Sequence, residues 1–262
     1  MLDGGGGSDT LRGDGGNDIF VYRSGDAPAG ENIDGGSDTD AVLAIGGVVT
    51  DDIFQPAGVN LSAMTINSVE EVRVNGTEVV INVAQLGPGG FTTFVGRTGF
   101  ADHLTIANVA TGNLDTLALV NWDLGQDRIN VVGTAGADNV VGSMGQDVFL
   151  GLGGTDYFSG GFGDDRFLIM ADDFAPADVL FGDGGNDVLQ VDSTAIDTVQ
   201  MTPLTNLRNL TIDGIEVLDI VKGSFVMDGA DFVGAITGAI SAPVISTVFA
   251  VGSVTRVPPG QY

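Results

Sequence analysis

The 262-residue chain contains no cysteine, one histidine (His103), one lysine (Lys222) and one tryptophan (Trp122). Without Cys there is neither a disulfide scaffold nor a thiolate metal site. A lone His excludes the zinc sites built on two or three imidazoles. Positive charge is scarce as well: 9 Lys+Arg stand against 35 Asp+Glu, a formal charge of −26. A nucleic-acid partner needs a basic face to neutralise phosphates, and no such face can be assembled here. No apolar run approaches the ~18 residues of a membrane span, so membrane insertion is not expected. The opening MLDGGGGSDT has no basic n-region and no apolar h-region, and a cleavable signal peptide is not expected. The signatures G-x-S-x-G, H-E-x-x-H, the P-loop and the dinucleotide G-x-G-x-x-G are all missing. His103, in the strand-like FADHLTI, reads as structural, and the pairs Asp51/Asp52, Asp164/Asp165 and Asp172/Asp173 read mainly as solvated acid. The chain is not expected to be an enzyme.

What is abundant is glycine (42 residues) and aspartate, at 30 of the 35 acids. Such a composition suggests disorder, but 43% hydrophobic residues and a mean hydropathy of +0.27 leave ample material for a core. Glu favours helices, whereas Asp and Gly favour turns. The bias therefore points to short strands joined by acidic turns, and to a cationic partner at those turns.

A nonapeptide period organises these residues. Four consecutive copies are GTAGADNVV (133–141), GSMGQDVFL (142–150), GLGGTDYFS (151–159) and GGFGDDRFL (160–168). Two more open the chain, GGGGSDTLR (4–12) and GDGGNDIFV (13–21), and two stand alone, GGSDTDAVL (35–43) and GDGGNDVLQ (182–190). The template is G-x-x-G-x-D-x-U-x, with U a large apolar residue. Position 6 is Asp throughout: Asp9, Asp18, Asp40, Asp138, Asp147, Asp156, Asp165 and Asp187. Position 4 is Gly7, Gly16, Gly136, Gly145, Gly154, Gly163 and Gly185, with Asp38 in the remaining copy. Glycine permits positive-φ turns and leaves carbonyls uncovered, and Asp adds hard anionic oxygen of the kind Ca²⁺ takes.

This template resembles the RTX (repeats-in-toxin) nonapeptide family. The resemblance implies an all-β fold: a calcium-loaded parallel β-roll, two nonapeptides per coil, continuing into right-handed β-solenoid segments. Turns two nonapeptides apart then stack, which pairs Asp138 with Asp156 and Asp147 with Asp165 as ligands. It implies about five or six Ca²⁺ ions at the position-4 and position-6 residues named above. Asp38 and Asp173 would complete sites at stack ends, or simply lie in solvated loops. The degraded copy WDLGQDRIN (122–130) retains Gly125 and Asp127 and adds a further candidate turn.

A longer repeat encloses the short one. Residues 13–43 align with 160–190 at an offset of 147, each block carrying an insert (22–34 and 169–181). Each insert takes the place of one nonapeptide and is longer than it, so turn 35 is expected on turn 13 and turn 182 on turn 160. Further on, MTINSVEEVRV (64–74) parallels LTIDGIEVLDI (210–220) at an offset of 146. Two tandem modules are expected: residues 1–132, with a roll at 4–43 and a β-rich segment at 44–132, and residues 133–262, with a roll at 133–190 and a β-rich segment at 191–262. VEEVRV, TEVVINV, HLTIANV, DTLALVNW, DRINVV, IEVLDIV and SFVMDGA have strand character. The best helical candidate is ADFVGAITGAI (230–240).

The segment I-E-x-L-D-I after the repeats is similar to RTX-type bacterial surface-layer proteins and adhesins. The resemblance implies type I secretion, an extracellular or cell-surface location, and folding on external calcium. Absent caps lead to an expectation of end-to-end association with further copies of the chain, as in a layer, filament or stalk. Cell-surface polysaccharide is a further candidate partner. The alternative is a C-terminal secretion and folding module of a larger secreted enzyme or adhesin, with carbohydrate or ice binding behind it.

Overall fold

A computed structural model describes residues 1–26, 30–46, 58–170, 178–192, 205–206, 210–222, 224–228, 240–241 and 247–251. The strands are short because each nonapeptide gives most of its length to the turn. In chain order they are β1 (Thr10–Arg12), β2 (Ile19–Arg23), β3 (Asn32–Asp34), β4 (Ala41–Ile45), β5 (Val59–Asn60), β6 (Thr65–Asn67), β7 (Glu71–Asn75) and β8 (Glu78–Asn82). There follow β9 (Thr93–Val95), β10 (His103–Ala107), β11 (Thr111–Asn113), β12 (Ala118–Val120), β13 (Arg128–Val132), β14 (Asn139–Val141), β15 (Gln146–Leu150), β16 (Tyr157–Ser159) and β17 (Arg166–Met170). The last are β18 (Val179–Phe181), β19 (Val188–Asp192), β20 (Thr205–Asn206), β21 (Thr211–Asp213), β22 (Val217–Lys222), β23 (Ser224–Asp228), β24 (Ile240–Ser241) and β25 (Thr247–Val251). The helical candidate at 230–240 falls on residues outside those described, apart from Ile240 in β24.

The strand pairs are parallel, and each strand lies on the one a full coil earlier. The step is two nonapeptides within the uninterrupted run, as in Phe149 on Phe167. It lengthens where an insert intervenes, as in Phe20 on Val42 and Phe167 on Leu189. Turns 133 and 151, 142 and 160, 13 and 35, and 160 and 182 stack as the repeat spacing requires. The inserts stay in the stack: β3 lies on β1, and β18 on β16.

Between the rolls the coil gains a third side. β8, β10 and β13 succeed one another at a step longer again, with Val79, Leu104 and Ile129 in one row, in a sheet that begins at β5. The same sheet continues through β15, β17, β19 and β22 to β24, so it runs unbroken from position 132 into position 133 and beyond. The sheet β12-β9-β7-β4-β2 ends there, and β11-β14-β16-β18-β21 begins. The third side of the first half thus becomes a main face of the second. A new third side then starts with β20, β23 and β25, where β20 and β23 repeat the places of β5 and β8 one module later.

Every second strand residue points inward, and the U residues line the core. Phe20, Val42, Val140, Phe149, Phe158, Phe167 and Leu189 are buried in a cluster that extends from Phe20 to Leu218. Phe149 stacks on Phe167 at 5.1 Å and on Phe158 across the coil at 5.3 Å. Trp122 packs against this core, and His103 is buried in β10.

Candidate metal centre

The position-6 side chains form ladders along the turn edges. Where the preceding coil is in register, a carboxylate in a ladder spends one oxygen on the backbone N–H of its counterpart one coil earlier. Asp18 N–H donates to Asp40 Oδ1 (2.8 Å), Asp138 to Asp156 Oδ1 (3.0 Å), Asp147 to Asp165 Oδ1 (2.8 Å) and Asp165 to Asp187 Oδ1 (2.8 Å). The ladders run on into residues outside the consensus. Asp9 N–H donates to Glu31 Oε2 (2.8 Å), Asp40 to Glu70 Oε2 (3.0 Å), Asp156 to Asp178 Oδ1 (2.9 Å) and Asp187 to Glu216 Oε2 (2.8 Å). In the three-sided region Asp102 N–H donates to Asp127 Oδ1 (2.8 Å). Each accepting acid immediately precedes a strand.

The second oxygen faces into the turn, and here the turns differ. Asp9, Asp40, Asp165 and Asp187 each leave Oδ2 buried with no hydrogen-bond partner. A buried carboxylate oxygen without a donor is costly, so its surroundings call for a cation. Those surroundings are oxygen. A Cβ at Gly13 would stand 2.5 Å from the Gly35 carbonyl and 2.8 Å from Asp18 Oδ2. At Gly160 it would meet Asp165 Oδ2 and the Gly182 carbonyl, and at Gly182 it would meet Asp187 Oδ2 and the Gly214 carbonyl. Position 1 is glycine because a side chain would fill this oxygen-lined hollow. Among the described residues no three acidic or imidazole side chains converge on one point. The donors are therefore carbonyls supplemented by carboxylates, a hard all-oxygen set that suits Ca²⁺.

Backbone conformation sorts the turns into two kinds. In the turns at 4, 13, 35, 151, 160 and 182, positions 2 and 4 both have positive φ, including the non-glycine residues Asp14, Asp38, Leu152 and Asp183. Of the position-4 residues, Gly7, Gly16, Gly154, Gly163 and Gly185 belong to this kind, but Gly136 and Gly145 do not. In the turn at 133, Asp138 accepts from the backbone N–H of Thr134 at Oδ2 (2.7 Å) and from its hydroxyl at Oδ1 (2.7 Å). In the turn at 142, Asp147 Oδ2 accepts from Ser143 N–H (2.6 Å) and from the Ser143 hydroxyl (3.0 Å). Those hydroxyls also accept from Gly136 N–H (3.1 Å) and Gly145 N–H (3.0 Å). The turn at 122 repeats the pattern with a carboxylate: Asp123 N–H donates to Asp127 Oδ2, and Gly125 N–H to Asp123 Oδ1.

Burial raises these acids. Asp147 is pushed up to about 7, and Asp165 to about 9 as the charge of Asp147 adds to its burial. Burial likewise lifts Asp178 and Asp187 to about 6, and moves Asp40, Asp102 and Asp127 upward.

The structure brings Asp138 together with Asp156 and Asp147 with Asp165, as the spacing requires. Asp38 turns back to accept from Gly16 N–H (3.1 Å) in the preceding coil. Asp173, with Asp172, lies outside the described residues. Sequence reasoning passed over Glu31, Glu70, Asp102, Asp178 and Glu216 as ladder members. A half-template would have found them: [D/E]-x-U-x occurs as ENID (31–34), EEVR (70–73), DHLT (102–105), DVLF (178–181) and EVLD (216–219).

The family described as RTX calcium-binding nonapeptide repeat matches residues 1–26, 132–167 and 177–192, in four copies. Repeats of this family bind calcium. No curated protein and no solved structure matches the chain. Among the described residues no helix is long and apolar enough to cross a membrane. With the nonapeptides, the stacked turns and the unpartnered carboxylate oxygens all in place, the chain carries RTX calcium-binding nonapeptide repeats wound as a parallel β-solenoid.

Proposed function

We propose that the chain is a calcium-folded structural solenoid of a secreted protein, its calcium-binding coils expanded where calcium is scarce and rigid where it is plentiful. The observation that carries this reading is the set of buried, donor-less Oδ2 atoms on Asp9, Asp40, Asp165 and Asp187. Asp9, Asp18, Asp40, Asp156, Asp165 and Asp187, with the carbonyls of the turns stacked on them, would hold about five or six Ca²⁺ ions. When bound, the cation supplies the positive charge that the carboxylates lack. The chain supplies the rest: strands fix the turn spacing, glycines keep the hollow open, and the ladders hold each carboxylate in place. At −26 the chain repels itself most strongly where its turns stack, and six divalent ions would remove about twelve charges there.

In this reading the protein is not an enzyme. It leaves the cell by type I secretion before its calcium-binding coils fold, and joins further copies end to end in a surface layer, filament or stalk. Parallel ladders support that association, because a second solenoid end can extend the same hydrogen-bonding rows. The test is solution X-ray scattering over a range of protein concentrations, in EGTA and then in calcium at about 5 mM, a level that fills extracellular-type sites. The radius of gyration should fall on adding calcium, from an expanded value bounded above by the roughly 56 Å of a fully unfolded chain, toward the roughly 18 Å of a compact one, staying somewhat above it for an elongated solenoid. Mass rising with concentration only in calcium supports assembly; a calcium-compacted monomer favours a folding module within a larger secreted protein. An unchanged curve would refute the calcium reading.

A further inference from the structure

The two kinds of turn divide the solenoid by its need for calcium, an inference that rests on the calcium reading above and refines it. We infer that the turns at 122, 133 and 142 are closed by their own position-2 side chains, Asp123, Thr134 and Ser143, and take no calcium. The coils from about residue 58 to 150 then fold without the ion and template the coils that follow.

Two features coincide at all three turns, and a third marks two of them. The first is side-chain closure: in each, the position-2 backbone N–H meets the turn-facing oxygen of the position-6 Asp, and the position-2 side chain accepts from the position-4 N–H. The turn-facing Oδ2 of Asp127, Asp138 and Asp147 therefore has the donor that Asp165 and Asp187 lack. The second is backbone form: neither position 2 nor position 4 has positive φ at these three turns, whereas both do at 4, 13, 35, 151, 160 and 182. The third is sequence, and it marks two of the three: Thr134 and Ser143 carry hydroxyls at position 2, where none of those six turns has Ser or Thr. Asp123 shares its type with Asp14 and Asp183 and is set apart by the first two features. Their position-2 residues are Gly5, Asp14, Gly36, Leu152, Gly161 and Asp183.

Asp147 does keep one oxygen, Oδ1, without a partner. That is the ladder oxygen, and it is stranded because the coil below is out of register. Asp147 lies on Ile129, which is past Asp127 in the chain, so no position-6 N–H meets it. The coil below is satisfied in a different way. Asp102 accepts from Gly76 N–H (2.6 Å) and from Arg97 N–H, while Asp127 accepts from Asp102 and Asp123. All four of these oxygens have donors, with no orphan to attract a cation.

The test is hydrogen exchange by mass spectrometry on the full chain, paired with calcium counting by native mass spectrometry. In EGTA, peptides covering 78–82, 103–107, 128–132, 139–141 and 146–150 should exchange about 100-fold or more slowly than those covering 166–170 and 188–192. Calcium should then protect the second set. The double variant Thr134→Gly, Ser143→Gly should bind two more ions and lose the protection of 139–150 in EGTA. If 139–150 is as exposed as 166–192 in EGTA, or if the double variant binds no extra calcium, the two-class assignment fails while the calcium reading stands. If no segment responds to calcium, both fall.

Discussion

Replacing Asp165 by Asn should have opposite effects in the absence and presence of calcium. The amide keeps an oxygen for Asp147 N–H, which donates to Asp165 Oδ1 at 2.8 Å, and removes the charge on the donor-less Oδ2. The metal-free fold holds this carboxyl near 9 against an ordinary 3.8, so at about pH 7.5 folding carries a penalty of at most about 5 kcal/mol. Allowing for the burden it shares with Asp147, relief of roughly 3–5 kcal/mol is expected in EGTA. In calcium the same change removes an anionic ligand from the stack at 160 and 182, and the calcium midpoint should rise on the order of tenfold. Urea unfolding in EGTA and calcium titration followed by circular dichroism measure the two effects. Asp164→Asn makes the same charge change at an exposed neighbour whose Oδ1 accepts from Asn186 N–H (2.9 Å), and it should shift both readouts only slightly. If Asp165→Asn weakens the fold equally in both conditions, its carboxylate is only a ladder acceptor and the cation argument is wrong.

Gly160→Ala should cost about 1–3 kcal/mol in calcium, since its Cβ would stand 2.8 Å from the Gly182 carbonyl and closer still to Asp165 Oδ2. Gly136→Ala has ordinary φ and nothing nearer than 3.6 Å, so it should change stability by under about 0.5 kcal/mol; thermal unfolding of both in calcium checks the contrast. Glu216→Ala leaves the buried Asp187 N–H without its acceptor and should cost about 1–3 kcal/mol in saturating calcium, with Glu216→Gln largely restoring it. Because burial raises Asp147, Asp165, Asp178 and Asp187, the metal-free fold keeps protons that the unfolded chain has released. Its stability is therefore greatest below about pH 4 and drains as the pH climbs toward about 9. Calcium affinity should run the other way, strengthening over the same range as protons cease to compete. Circular dichroism against pH with EGTA and with calcium should give these opposed slopes.

Much of the fold was legible because the repeat carries its own geometry. Gly at positions 1 and 4, Asp at 6 and an apolar residue at 8 give turn, ladder and core within one nonapeptide. The stacking of Phe149 on Phe167, and of Phe20 on Val42 across an insert, followed from the spacing once the family resemblance implied two nonapeptides per coil. Glu31, Glu70, Asp178 and Glu216 escaped the full template, because their turns keep only its last four positions. What recruits them is the strand that follows, which lands in register on the coil before. The regularity of the consensus also hid the difference between its turns: Thr134 and Ser143 occupy a position where the template allows any residue.

The sequence by itself determined the period, the parallel coiling, the core residues and the taste for a hard cation, because each depends on local spacing and residue chemistry. The tertiary structure decided which carboxylate oxygens are left without a donor. That outcome depends on whether a hydroxyl reaches back within the turn, and on whether the coil below is in register, as at Asp165, or out of it, as at Asp147. Satisfaction of a buried charge is a property of neighbours a full coil apart, and only the stacked structure brings those neighbours together.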